Sequence, residues 1–147
     1  MISEFANDKR VLLWDLYNEP DNRAKGRGRA KMEVKNKAKY SLELLRKTHQ
    51  WAREINPMQP LTIGIWRGNI PNWGSLDKLP ELDRFMLENS DVISFHAYDG
   101  KLEDVTQKID ELKKYNRPLF CTEYLARAQG NTFELLMPLF KKKKLQQ

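Results

Sequence analysis

Four short apolar runs, none with the in-and-out alternation of a half-buried strand, constrain this chain more than any other feature. They are Val11-Leu12-Leu13-Trp14, Leu61-Thr62-Ile63-Gly64-Ile65-Trp66, Val92-Ile93-Ser94-Phe95 and Pro118-Leu119-Phe120-Cys121. Unalternating runs rich in β-branched and aromatic residues read as parallel strands covered on both faces. Between them apolar residues return at helical spacing. Val34, Ala38, Leu42, Leu45, Ala52 and Ile55 keep steps of three, four or a multiple until Asn56-Pro57 ends the pattern. Leu102, Val105, Ile109 and Leu112 repeat it, which leaves Glu103, Asp104, Lys108 and Lys113 for solvent. A shorter helix is expected over 79–88 and a last one over 132–142.

The order is strand then helix, four times over. Right-handed crossovers turn that order into a parallel sheet with helices outside, an α/β fold with strands near 10–15, 61–66, 92–96 and 118–122. Two architectures fit: a small doubly wound sheet, or a piece of a (β/α)8 barrel. A doubly wound nucleotide-binding domain carries a glycine-rich turn directly after its first strand, where backbone must approach a phosphate. Here that turn is Asn18-Glu19-Pro20-Asp21-Asn22, and Gly26-Arg27-Gly28 lies too far beyond it.

Composition narrows the function classes. With 147 residues, 40% hydrophobic and 31% charged, the chain has the make-up of one globular unit able to bury a sizeable core. The single Cys121 excludes an internal disulfide and a Cys-rich zinc site. No apolar run approaches the roughly 20 residues a membrane span needs, and Met1-Ile2-Ser3-Glu4-Phe5 has no signal-peptide character, so no membrane partner is expected. The net charge of +6 is concentrated in Arg23, Lys25, Arg27, Arg29 and Lys31 and in Lys141 to Lys144. The first group lacks the interleaved aromatics that stack bases and reads as a solvated loop entering a helix, and the second complements the dipole of a final helical turn. No nucleic-acid partner is expected.

Chemistry concentrates where the strands end. The first run leads into Asn18-Glu19-Pro20, the third into His96-Ala97-Tyr98 and the fourth into Thr122-Glu123-Tyr124. Ligand sites lie at the C-terminal ends of strands in both barrels and open α/β sheets. Either Glu alone is explained by a helix cap or a solvated loop; two in that position, with a His and a Tyr between them in order, are not. Two carboxylates facing across a pocket serve acetal cleavage through an oxocarbenium-like transition state, one protonated to donate and the other ionised to attack. Sugars also need flat apolar platforms, for which Trp66, Trp73 and Tyr17 are candidates; Trp14, inside its run, reads rather as core.

These residues carry a resemblance. Trp14-Asp15-Leu16-Tyr17-Asn18-Glu19-Pro20 resembles the Asn-Glu-Pro motif that ends the fourth barrel strand of clan A glycoside hydrolases, above all the family-five cellulase and mannanase group and the family-two group. Cys121-Thr122-Glu123-Tyr124 is similar to the end of their seventh strand, its Glu-Tyr pair closer to family two, and Ser94-Phe95-His96-Ala97-Tyr98 is similar to the His-x-Tyr of the sixth strand in family five. Glu19 and Glu123 are 104 residues apart, separated by the three βα units that a fourth-to-seventh relation requires.

The resemblance implies a partial TIM barrel, strands four to seven of a (β/α)8 catalytic domain, since a full barrel takes at least about 200 residues. It implies a retaining glycosidase acting on the β-linkages of a plant-type polysaccharide or oligosaccharide, with Glu19 as acid/base and Glu123 as nucleophile. Asn18 would bind the sugar 2-hydroxyl, His96 and Tyr98 would line the site with Tyr98 bonded to the nucleophile, and Trp66 would contact substrate. No cofactor and no metal are expected. Family members use an Arg and a His from early strands and often a Trp from the eighth, all missing from residues 1–147, so the isolated chain is expected to be impaired. The competing expectation is a non-catalytic carbohydrate-binding or assembly module on a half barrel. Either way, open sheet edges favour homo-oligomers. Full-length relatives are usually secreted or periplasmic, which leaves the location of this chain unassigned.

Overall fold

The computed structural model describes residues 1–23, 32–67 and 73–145. Helix α1 (Ile2–Phe5) precedes strand β1 (Trp14–Asp15); α2 (Lys37–Ile55), β2 (Leu61–Thr62), α3 (Glu81–Asn89), β3 (Ile93–His96), α4 (Leu102–Lys113), β4 (Leu119–Glu123) and α5 (Phe133–Lys142) follow. All strand pairing is parallel. β1 pairs with β2 and β3 with β4, and a parallel bridge between Ile65 and Phe95 ties the two pairs together. The Ile65 N–H donates to the Ser94 carbonyl at 3.1 Å and the His96 N–H to the Ile65 carbonyl at 2.8 Å. Neighbours in space are therefore neighbours in sequence. Each crossover carries a helix, as parallel pairing requires.

The first two strands are shorter than their apolar runs. Val11, Leu12 and Leu13 stay outside β1, and Leu12 is exposed; among the described residues β1 has a partner along one edge only. The inner faces of Ile63, Ile65, Ile93, Phe95, Leu119 and Cys121 meet the apolar stripes of the helices in one core. Burying a side chain of this size contributes about 1.5–3 kcal/mol, so this layer holds the strand ends in place.

The helices follow their spacing with three corrections. In α2 the buried residues are Ser41, Leu42, Leu45 and Ala52, whereas Val34 precedes the helix and is exposed, as are Ala38 and Ile55. Its other face exposes Tyr40, Leu44 and Trp51. The helix ends at Asn56, whose left-handed backbone (φ 52°) lets its N–H bond back to Ala52 and Arg53. In α4 Lys108 is not solvated: it lies between Val105 and Ile109 on the buried face and is 1% exposed. Trp73 is fully buried in the core and offers no platform to a ligand. Lys141 and Lys142 do lie in the last turn of α5, at the negative end of its dipole. Lys25, Arg27, Arg29 and Lys31, with Gly26 and Gly28, lie outside the described residues. None of the described helices is long and apolar enough to cross a membrane.

Candidate active site

Glu19 is placed by a turn. Its N–H donates to the Gly64 carbonyl at 3.1 Å, and its own carbonyl accepts the Asn22 N–H at 3.0 Å, closing Glu19-Pro20-Asp21-Asn22 with proline in the position where a fixed φ favours turning. Glu19 itself sits in left-handed backbone (φ 51°), a conformation that costs a non-glycine residue energy and survives only where surroundings impose it. The surroundings are present. Ser41 of α2 donates to the Pro20 carbonyl, Lys37 donates to the Asn22 carbonyl at 2.5 Å, and Asp21 accepts Trp66 Nε1–H at 2.7 Å while pairing with Arg67.

The turn brings Glu19 against His96, the last residue of β3, and through it to Glu123, the last of β4. His96 Nδ1 and Glu19 Oε1 share a hydrogen bond of 2.5 Å, and His96 Nε2 lies 3.3 Å from Glu123 Oε1. One imidazole, fully buried, thus stands between two carboxylates. Glu19 is the more enclosed, with 19% of its side chain exposed against 35% for Glu123. Asn22 Nδ2 donates to the other oxygen of Glu19 at 2.5 Å. Glu123 is held by Asn18, whose Nδ2 donates to Oε1, and by Tyr98, whose hydroxyl donates to Oε2, both at 3.0 Å. Desolvation, and next the bond to Glu123, push the Tyr98 hydroxyl up to about 12, so it remains a donor throughout the neutral range.

Single atoms of Glu19, His96 and Glu123 all lie within 4.8 Å of one another, close enough to raise the question of a metal. His96 and Glu19 are already joined by a hydrogen bond, and each oxygen of both carboxylates has a donor or His96 beside it. The carboxylates open into a cavity of about 500 Å³ that Trp66 and Gln129 also line.

Residues singled out from the sequence therefore separate into two groups. Asn18, Glu19, His96, Tyr98 and Glu123 come together in one hydrogen-bonded cluster, and Trp66 borders the same cavity. Tyr17 turns away, its hydroxyl 3.4 Å from Ser41 Oγ, into a groove along α2, and Trp14 bonds Gln59 through Nε1. Sequence reasoning missed Asn22, Gly64 and Lys108. Lys108 reaches under the site from α4, donating to the His96 carbonyl at 2.9 Å and to Asp99 Oδ2 at 2.6 Å; burial pushes its ammonium down from the usual lysine range, against the pull of Asp99. Its place in the buried stripe was the available signal. Beside it the Cys121 thiol, pushed up to about 12 by burial, stays protonated and unreactive.

The comparisons with known proteins bear on this cluster. A family model described as glycosyl hydrolase catalytic core matches residues 2–136. The chain belongs to that family. No curated protein and no solved structure matches the chain. The matched span includes both carboxylates and every strand, so the cluster lies within a glycosyl hydrolase catalytic domain, whose substrate is a carbohydrate.

Proposed function

We propose that this glycosyl hydrolase domain cleaves β-glycosidic bonds with retention of configuration, Glu123 acting as nucleophile and Glu19 as acid/base. The observation that carries the reading is the approach of a Glu19 oxygen to within 4.8 Å of a Glu123 oxygen, with His96 between. Retaining enzymes hold their carboxyl groups about 5–5.5 Å apart, whereas inverting ones need about 6.5–9.5 Å to admit a water.

In the first step a Glu123 oxygen forms a bond to the anomeric carbon. The glycosidic C–O bond breaks, its electron pair stays on the leaving oxygen, and that oxygen takes the proton of Glu19. In the second, Glu19 removes a proton from water, the water oxygen bonds to the anomeric carbon and the Glu123 ester bond breaks. Glu123 regains its charge and Glu19 its proton. Glu19 is the more enclosed of the two, and Asn18 and Tyr98 hold the Glu123 carboxylate in one orientation. Asn18 meets the sugar 2-hydroxyl and Trp66 supplies an apolar wall.

In this reading the four parallel strands correspond to strands four to seven of a (β/α)8 barrel of clan A, with Asn18-Glu19-Pro20 in the pattern of the family-five and family-two groups and Glu123-Tyr124 closer to family two. The substrate class is a cellulose-, xylan- or mannan-like oligosaccharide or polysaccharide. The test is incubation of the chain with aryl β-glycosides, the anomer of the first product being read by NMR. Release of the β-anomer, lost in Glu123→Ala, is the expected result. Release of the α-anomer overturns the retaining mechanism. Saccharide binding that survives Glu19→Gln and Glu123→Gln, without turnover by the unsubstituted chain, replaces the reading with a binding module.

A further inference from the structure

Glu19 has a hydrogen-bond partner on each oxygen, and the two partners differ in what they can do when the carboxyl gains a proton. His96 can exchange donor for acceptor only by moving its proton to the nitrogen that faces Glu123. Asn22 can do it by rotation, because its side chain ends in an acceptor and a donor of nearly equal size. Asn22 Nδ2 donates to Glu19 Oε2 at 2.5 Å, and Asn22 Oδ1 is buried with no hydrogen-bond partner among the described residues. A buried, unpartnered acceptor is costly to the fold. Next to a carboxyl group assigned to carry a proton, its position has a use.

We propose that Asn22 is a positioning residue for the acid/base carboxyl. Its amide donates Nδ2–H to Glu19 Oε2 when Glu19 is ionised, and turns over to accept the Glu19 proton on Oδ1 when Glu19 is protonated. The inference rests on the reading of Glu19 as acid/base given above. The retaining cycle needs both states in turn, so a partner that serves only one would oppose half of it. A carboxylate in Asn22's place would repel the ionised state, and an aliphatic group would leave both oxygen states without this contact.

The backbone makes the turnover local. The Glu19-Pro20-Asp21-Asn22 turn is closed by the Asn22 N–H, and Lys37 Nζ holds the Asn22 carbonyl, so the residue is fixed at its main chain and only the amide rotates. Among the described residues the charged groups facing Glu19 are few. From β3 comes His96, with Glu123 of β4 and the Tyr98 hydroxyl behind it; from α2 comes Lys37 at the turn. Asp21 is taken up by Arg67 and Trp66 on the far side of the turn, and Lys108 with Asp99 lies below the His96 carbonyl. None of them touches Oε2, which among the described residues is left to Asn22.

The test uses the whole chain. With 15N-labelled asparagine and 13C-labelled glutamate side chains, the Asn22 amide resonances should move with pH through the same midpoint as the Glu19 carboxyl carbon, and should stop responding in Glu19→Gln. Amide resonances that ignore the Glu19 titration overturn the proposal. A second readout separates a positioning role from a structural one. Asn22→Leu should slow aryl glycosides with poor leaving groups at least about tenfold more than those whose leaving groups need no proton, as loss of acid assistance requires. Equal slowing of both overturns it. The measurement on the unsubstituted chain needs no variant of Asn22 to fold. If the amide follows Glu19 but Glu19→Gln hydrolyses glycosides with poor leaving groups as fast as the unsubstituted chain, the acid/base reading fails and the coupling stands; if Glu19→Gln is slowed while the amide is indifferent, the coupling alone fails.

Discussion

Gly64 and Asn18 face each other so closely that a methyl group on Gly64 would lie 2.5 Å from Asn18 Oδ1. The same methyl would come within 3.0 Å of Asp15 Oδ2 and 3.5 Å of the Asn18 Cα. Gly64 is therefore bare because β2's continuation must let the Asn18 side chain lie across it, and its φ is one that alanine can adopt.

Gly64→Ala forces the short Asn18 side chain to rotate and releases the bond from Asn18 Nδ2 to Glu123. An off-rotamer side chain costs about 0.5–1.5 kcal/mol, so the fold should persist with a modest loss measured by urea unfolding. Turnover should suffer more. Loss of a hydrogen bond to a charged group is worth about 1.5–3 kcal/mol, hence about a 10- to 100-fold drop in kcat/KM for an aryl glycoside. Unaltered kcat/KM in Gly64→Ala would show that Asn18 has no part in holding substrate or nucleophile.

Lys108 gives a prediction of the opposite kind, with stability as the readout. Its ammonium, 1% exposed, is bonded to the His96 carbonyl and to Asp99. Lys108→Met removes the cation while the Asp99 charge stays in place, and breaking a buried pair from one side costs about 3–5 kcal/mol. Removing the charge from both sides, Lys108→Met with Asp99→Asn, should cost less than the sum of the two single changes by at least about 1 kcal/mol. Additive losses in a urea-unfolding cycle would mean that the pair is not coupled.

What the sequence made legible, and what it hid, follows from which side chains act locally. The four parallel runs and their helices could be read because burial on both faces removes alternation and burial on one face imposes a helical period. That His96 and Glu123 would stand near one another followed from strand ends, since parallel neighbours bring their C-terminal residues to one rim, whereas Glu19 reaches them through the turn that follows β1. Lys108 was misread because its charge was weighed above its position between Val105 and Ile109, the two signals conflicting at one residue. Asn22 carried no pattern at all: its contact with Glu19 depends on a turn closed by a single hydrogen bond. Trp73 looked like a sugar platform by residue type, and only packing against the core decides otherwise.

The open edges predict association. Among the described residues β1 pairs only with β2 and β4 only with β3, so each leaves one row of backbone groups unpaired. Along α2, Tyr40, Leu44 and Trp51 present an exposed apolar face. Unprotected edges and apolar patches promote contact between chains. Sedimentation of the chain over a tenfold concentration range should show species heavier than 17.4 kDa that grow with concentration. A single monomer at every concentration would contradict this.

Asp83 of α3 should make the stability of the fold fall as pH rises from acid to neutral. The side chain is fully buried, and neither oxygen has a hydrogen bond among the described residues; Arg67 Nε approaches Oδ1 only to 3.5 Å, outside hydrogen-bond geometry. Desolvation raises its carboxyl to about 6 from an ordinary 3.8, the Arg67 charge opposing and Asp21 adding to the rise. A carboxyl whose folded pKa lies above its unfolded one binds its proton more tightly in the folded state. Its contribution is therefore complete below about pH 4, declines between about 4 and 6, and is gone above that window, a change of up to about 3 kcal/mol. Asp83→Asn keeps the shape and removes the titration. Arg67 retains Asp21 as partner, so the variant should match the unsubstituted chain near pH 4 and exceed it in unfolding free energy near pH 7. Unfolding curves collected across that range should diverge in this sense, and parallel curves would mean that Asp83 is ionised in the folded chain at little cost.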